Sequence, residues 1–180
     1  MNKNLSYILI GSGFLGAAFY ASLDPIEMNW TPFVIALLIS FTGLFMLKKI
    51  EHDHKKNPDI LESNRAHIHE SLDNILKNIT ELNSDKENIP TFEMRYSIDD
   101  KFRDDIDRFV LARESIKHIY SLQDYANIMT AFATGERYLN RVWSASADGY
   151  IDEVLTYTEK AMYQFQDAKK LLDNVSAKHA

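Results

Sequence analysis

Two unbroken apolar runs open the chain, and periodic apolar stripes fill the remainder. The first run, Leu5–Leu23, is 19 residues long and carries no charge. At about 1.5 Å per residue a helix of that length covers about 28 Å, close to the hydrocarbon thickness of a bilayer. The second, Thr31–Leu47, is 17 uncharged residues, with Pro32 suited to a first helical turn. Tyr7, Tyr20 and Trp30 stand near the ends of the runs, where amphipathic rings favour a membrane interface. Only Asp24–Trp30 separates the runs, too short for anything but a tight turn. The pattern predicts a transmembrane hairpin within residues 1–50, with helices at about 5–23 and 31–47. Gly13, Ala17 and Ala21 recur every four residues, as do Ala36 and Ser40. Such stripes let helix backbones approach closely in lipid, within one hairpin or between two. A cleaved signal peptide ending near Gly16-Ala17-Ala18 is the rival for the first run. The second run follows so closely that a hairpin is the simpler reading.

After a juxtamembrane segment at 51–57 the pattern changes. Asn57-Pro58 reads as a cap and a first turn. Leu61, Ile68, Leu72, Ile75, Ile79 and Leu82 then fall on a seven-residue repeat, with Arg65 at the one missing position. This is a coiled-coil-like seam of about three heptads. It can pack on other helices of the same domain, or form a parallel homo-oligomer beneath the membrane. Residues 83–97 break the helical period. Pro90 forbids a continuous helix, and Phe92, Met94, Tyr96 and Ile98 alternate with polar residues. With no second strand in view, the pattern predicts an extended linker lying in a groove between helices. Ser97-Ile98-Asp99-Asp100 can start the next helix. Its stripe is Phe102, Ile106, Phe109, Ile116 and Tyr120, interrupted by Arg113. Helix continues over 121–133, with Thr134-Gly135 either a mild interruption or a junction. It resumes over 136–147, ends at Gly149, and is followed by a last helix over 151–174. The fold class is all-α: a two-helix membrane hairpin and an antiparallel helical bundle at 58–180.

Charge orients the hairpin. The connecting loop has no Lys or Arg, whereas Lys3 flanks one side and Lys48, Lys49, Lys55 and Lys56 the other. Both termini should therefore be cytoplasmic in an inner or plasma membrane. Beyond Leu47, 19 basic residues stand against 24 acidic ones, with no basic cluster outside the juxtamembrane lysines. That argues against nucleic acid as a partner. The chain has no cysteine, which excludes disulfides, thiolate metal sites and thiol nucleophiles. His52 with His54, and His67 with His69, are each two apart and point to nearly opposite sides of a helix. Only Gly135 and Gly149 follow the apolar runs, so no glycine-rich phosphate loop exists. No catalytic, cofactor-binding or metal-ligating residue is assigned, and no catalysis is expected.

Residues 137–165 resemble a single tetratricopeptide helical hairpin. Gly149, Glu153, Glu159, Lys160 and Ala161 agree with that family's turn and second helix. Val154, Thr158, Arg141-Val142 and Gln166 depart from it, and Tyr138 takes the place of its first-helix Trp. A generic antiparallel hairpin accounts for the same residues. The resemblance implies a helix-turn-helix packing unit and protein–protein interaction, with ligands met on the first helix. Arg137, Asn140, Arg141 and Trp143 are the candidate partner-binding residues. Core packing beside Ser144-Ala145-Ser146-Ala147 is the other use of Trp143. The expected function is a membrane-anchored scaffold or interaction module whose partners are the lipid bilayer and a protein. The alternative is a small accessory subunit docked into a larger membrane complex through its hairpin.

Overall fold

The computed structural model describes residues 2–23, 29–55 and 57–178, and it contains helices and turns but no strand among them. The chain divides into two compact units between Asn57 and Pro58. In the first, α1 (Lys3–Ser22) starts at Asn2, whose side chain accepts from Asn4 N at 3.2 Å. Its partner α2 (Trp30–Lys55) runs eight residues past Leu47, the end of the second apolar run. Both are long and apolar enough to cross a membrane. Of the tight turn expected at Asp24–Trp30, Asp24–Met28 lie outside the described residues, as does Lys56.

The two helices lie antiparallel, because Gly13 meets Ala36 and Ser40 while Gly43 meets Leu9 and Ile10. The small residues make this possible. A Cβ on Gly13 would stand 2.6 Å from the Ser40 amide and 2.7 Å from the Ala36 carbonyl oxygen. Ser6, Gly13, Ala17, Ala36, Ser40 and Gly43 are all buried between the helices, and Ser40 Oγ donates to the Ile10 carbonyl at 3.3 Å. Part of each small-residue stripe is thus covered within one hairpin.

In the second unit four long helices enclose one core: α3 (Pro58–Asp85), α4 (Met94–Ala112), α6 (Leu122–Asp148) and α7 (Ile151–Lys178), with the one-turn α5 (Ile116–Ile119) between α4 and α6. α3 packs on α4 and α7, and α6 packs on α7 and α4. Neighbours run antiparallel. Lys86 at the end of α3 meets Leu155 near the start of α7, whereas His69 meets Ser176 near its end. Ile68, Leu72, Ile75, Ile79 and Leu82 have essentially no exposure, so their own chain covers the predicted seam; Leu61 is half-buried. Phe109 and Phe132 stack with centroids 3.9 Å apart, and Phe165 meets Phe132 edge-on at 5.6 Å.

Three expectations are corrected. The extended linker at 83–97 does not form. α3 continues to Asp85, a turn and a 3-10 segment at Thr91–Glu93 follow, and α4 begins at Met94 rather than near Ser97. The alternation misled because two of its four apolar residues also satisfy a helix. Met94 and Ile98 are buried and one turn apart, in line with Phe102, while Phe92 and Tyr96 are exposed. The long helix expected through 121 is broken instead. A 3-10 turn (Arg113–Ser115) and α5 lead to Tyr120, after which Ser121 caps α6 by accepting from Asp124 N at 3.0 Å. Thr134-Gly135 is no junction. α6 runs straight through it, because the missing Cβ lets the Phe165 ring lie where a Cβ would come within about 3.0 Å.

A polar cluster fastens α7 to α3 and to Tyr120. Ser176 Oγ donates to the Leu172 carbonyl at 2.8 Å, so Tyr120 (2.7 Å) and His69 Nε2 (3.0 Å) are placed to donate to it. Alongside, Lys169 pairs with Asp73 at 2.8 Å and Asp173 at 2.9 Å. Burial works against the Lys169 charge, but hydrogen bonds to these two carboxylates outweigh it and hold its pKa above the ordinary lysine value. Burial, then the Lys169 charge, pushes His69 below its ordinary value; Arg65 adds to this, while Asp173 and Asp73 oppose it. Folded His69 therefore binds fewer protons than unfolded His69 below about pH 6.5. Stability should be unaffected by this group above that pH and fall as pH drops from there toward the lowered pKa. Melts of the full chain at neutral and mildly acidic pH check this. His69→Gln should lose less stability on acidification than the parent, and an equal loss would show that His69 carries no linkage.

Candidate interaction surface

α6 and α7 form a long hairpin whose turn is fixed by one residue. Gly149 sits at φ 80°, ψ 21°, where its amide reaches back to the Ala145 and Ser146 carbonyls. Tyr150 N donates to the Ala145 carbonyl at 2.9 Å and closes the turn. Phe92 lies against Gly149, so a side chain there would meet both backbone strain and the ring. This turn sets the register of the two helices. Tyr138 on α6 and Lys160–Ala161 on α7, nearly equally far from it, become neighbours.

The structure divides the four candidate residues into two pairs. Arg137 and Arg141, one turn apart and exposed, belong to the face shared with α7. Arg141 Nη1 donates to the Tyr157 hydroxyl at 2.9 Å, and its guanidinium lies 5.2 Å from that ring's centroid. Tyr157 stacks on Tyr138, with centroids 5.8 Å apart and planes 20° apart. Lys160 Nζ stands 5.2 Å from the Tyr157 centroid and 5.9 Å from that of Tyr138. Arg137 Nη2 donates to Thr134 Oγ1 at 3.0 Å. Lys160 was not among the residues expected from sequence. Counting outward from Gly149 along both helices would have found it.

Asn140 and Trp143 belong to the α4 side. Trp143 Nε1 donates to Asp99 at 3.1 Å and the ring stays half-exposed. Asn140 lines a shallow groove of about 190 Å³ with Ile98, Phe102, Ile106 and Leu139. Of the small residues beside the Trp, Ser146 donates to the Thr91 carbonyl at 2.6 Å and accepts from Arg95 N at 3.0 Å. A larger residue would hold that segment away. Around it Phe92, Tyr96, Tyr150 and Ile151 are each more than half exposed. Two of these, Phe92 and Tyr96, were expected to lie in a groove as part of an extended linker.

The two pairs differ in electrostatics. Elsewhere on the unit several cations pair with carboxylates: Arg103 with Asp99, Arg108 with Glu70 and Asp105, Lys86 with Glu159, Lys117 with Glu114; Arg95 instead rests on the Tyr96 hydroxyl and ring. Among the described residues, Arg137, Arg141 and Lys160 have no carboxylate partner, and hydroxyls and rings hold them in place. Three fixed, uncompensated cations can accept anionic groups. No three His, Asp or Glu side chains converge as metal ligands would among the described residues. Compared with family models, with curated proteins and with solved structures, the chain shows no match.

Proposed function

We propose that this chain is a membrane-anchored interaction module. α1 and α2 cross an inner or plasma membrane as a hairpin, and the helical bundle beyond Pro58 meets a protein partner in the cytoplasm. The observation that supports this most directly is the outer surface of the hairpin. Core helices of a soluble protein are covered, yet Leu15 and Phe45 are each 73% exposed, with Ile8, Phe19, Val34 and Leu38 around them. Apolar surface of that extent needs lipid or protein against it. The Lys-free connection and the lysines at Lys48 and Lys49 favour cytoplasmic termini. The second unit has its own closed core and offers the α6–α7 surface, in keeping with the tetratricopeptide resemblance and its implied protein binding.

The absence of cysteine makes the test direct. A single Cys at Asn29 should react with a membrane-impermeant thiol reagent in intact cells, and one at Asn174 should react only after permeabilisation. Labelling of Asn174 but not Asn29 in intact cells would overturn the orientation, and release of the chain by alkaline extraction would overturn the membrane anchor.

One observation favours the accessory-subunit reading. A groove of about 440 Å³ beside Gly16, lined by Ser12, Tyr20, Pro32, Ile35 and Ile39, stays open on the hairpin. Replacing both helices with unrelated spans should abolish function on that reading and spare it on the first.

A further inference from the structure

We infer that the α6–α7 face carrying Arg137, Arg141 and Lys160 docks an acidic segment of a protein partner, an inference that rests on the chain being an interaction module. The chain is acidic overall, with formal net charge −6. Three cations gathered on one face of such a chain, each without a carboxylate, are a local reversal of sign. Glu153 and Asp148 stand nearer the turn and Glu136 lines the groove toward Asp107; none pairs with the three.

The array is also ordered before any ligand arrives. Tyr138 and Tyr157 form a stacked floor. Arg141 is fixed to it by one hydrogen bond and by the ring face, and Lys160 lies over both rings. A side chain held this way loses little rotamer freedom on binding, which is the main cost of recruiting long cations. Arg141 and Arg137 each use one donor internally, so most of their N–H groups are left for a ligand. Residues one turn apart on a helix are about 5–6 Å apart, a spacing that matches carboxylates one turn apart on a partner helix. Nucleic acid would demand a longer basic track than three side chains give. An anionic head group shares the carboxylate's charge. The floor rings, however, are half-covered beneath the cations and offer no apolar side chain to insert into lipid.

The test uses the full chain in non-ionic detergent micelles. A fluorescein-labelled oligoglutamate is titrated and followed by anisotropy, with oligoglutamine and oligolysine as comparison probes. Saturable binding of oligoglutamate alone is expected, weakening as salt rises. Combined Arg137→Glu, Arg141→Glu and Lys160→Glu should weaken it by about tenfold or more, as loss of charge-assisted bonds requires. The Gln versions of the same substitutions must show the loss with an unshifted melt, which guards against a folding defect. Lys77→Glu with Lys101→Glu, on exposed positions elsewhere, should leave binding unchanged. Absence of saturable binding, an equal loss in the Lys77/Lys101 variant, or no loss in the Gln variant would each overturn the inference. So would glycerophosphoserine binding this face while oligoglutamate does not, which would assign it to a lipid head group. Failure here with the Asn29 and Asn174 labelling as expected would remove the acidic partner and leave the anchored module standing. The reverse labelling would remove that module whatever the titration gives.

Discussion

Phe109→Ala should lower the stability of the helical unit by about 3–5 kcal/mol, the largest single-site loss expected in it. Phe109 has no exposed surface. Its ring stacks on Phe132, which in turn meets Phe165 edge-on, so one residue joins α4, α6 and α7 through a file of three rings. Truncation removes the transfer energy of the ring and the ring–ring term, and it leaves a cavity that helices already in contact cannot close. Rotating Phe132 into the space would give up its contact with Phe165, beside which Gly135 leaves little slack. Denaturant and thermal melts of the full chain in micelles, read at a signal from the helical unit, would measure the loss. A drop in melting temperature of about 10 °C or more is expected. Leu111, two positions away and 84% exposed, provides the comparison: Leu111→Ala should change stability by less than about 0.5 kcal/mol. If Phe109→Ala cost no more than Leu111→Ala, the three-ring core would be wrong.

That core was legible in the sequence because helix stripes depend on spacing alone. Ile75 and Phe109 were expected on the two clearest stripes, and both are fully buried. The two apolar runs were equally plain, since length and absence of charge define a candidate span without reference to any neighbour. Misreadings arose where spacing admits two periods. Met94 and Ile98 satisfy both a strand's alternation and a helix's four-residue step, and only packing beside Phe102 decides between them. At Ser121 the local signal was present, since Ser121-Leu122-Gln123-Asp124 is a capping sequence and the cap forms. The apolar residues on either side concealed it, because Ile116, Tyr120 and Tyr125 continue a plausible stripe across the break. Gly135 shows the converse case. Glycine suggested a junction, yet the space its missing side chain leaves is filled by Phe165, on another helix.

The candidate surface was legible in part. Arg137 and Arg141 were named as candidate partner-binding residues of one helix, but Tyr157 and Lys160 come from α7, and their meeting with Tyr138 follows from the register fixed at Gly149. Asn140 and Trp143 were grouped with the arginines by nearness in sequence. On a helix that nearness spreads residues around the axis, and each side found a different neighbour: Tyr157 for Arg141, Asp99 for Trp143.

Gly13→Leu should separate α1 from α2. A Cβ at this position meets the Ser40 amide, the Ser40 hydroxyl and the Ala36 carbonyl, each closer than 3.0 Å. Two of these are backbone atoms of a helix and cannot rotate away, so the helices must part or slide. Either movement breaks the donation from Ser40 Oγ to the Ile10 carbonyl and opens the small-residue contact that draws the pair together. The chain's lack of cysteine again supplies the measurement. A Cβ on Gly16 would lie 3.5 Å from that of Ala36, within the separation of about 3.5–4.5 Å that a disulfide spans. Gly16→Cys with Ala36→Cys should therefore close a bridge under mild oxidation of the full chain in non-ionic detergent micelles, seen as a mobility shift that a reductant reverses. Adding Gly13→Leu should reduce bridge formation by about tenfold or more, the loss expected when overpacking of roughly 1–3 kcal/mol is relieved by separation. Gly11→Leu, at a position with nothing within 4 Å of the added Cβ, should leave the bridge intact. Equal bridging in the Gly13→Leu chain would mean that the helices do not meet along Gly13, Ala36 and Ser40.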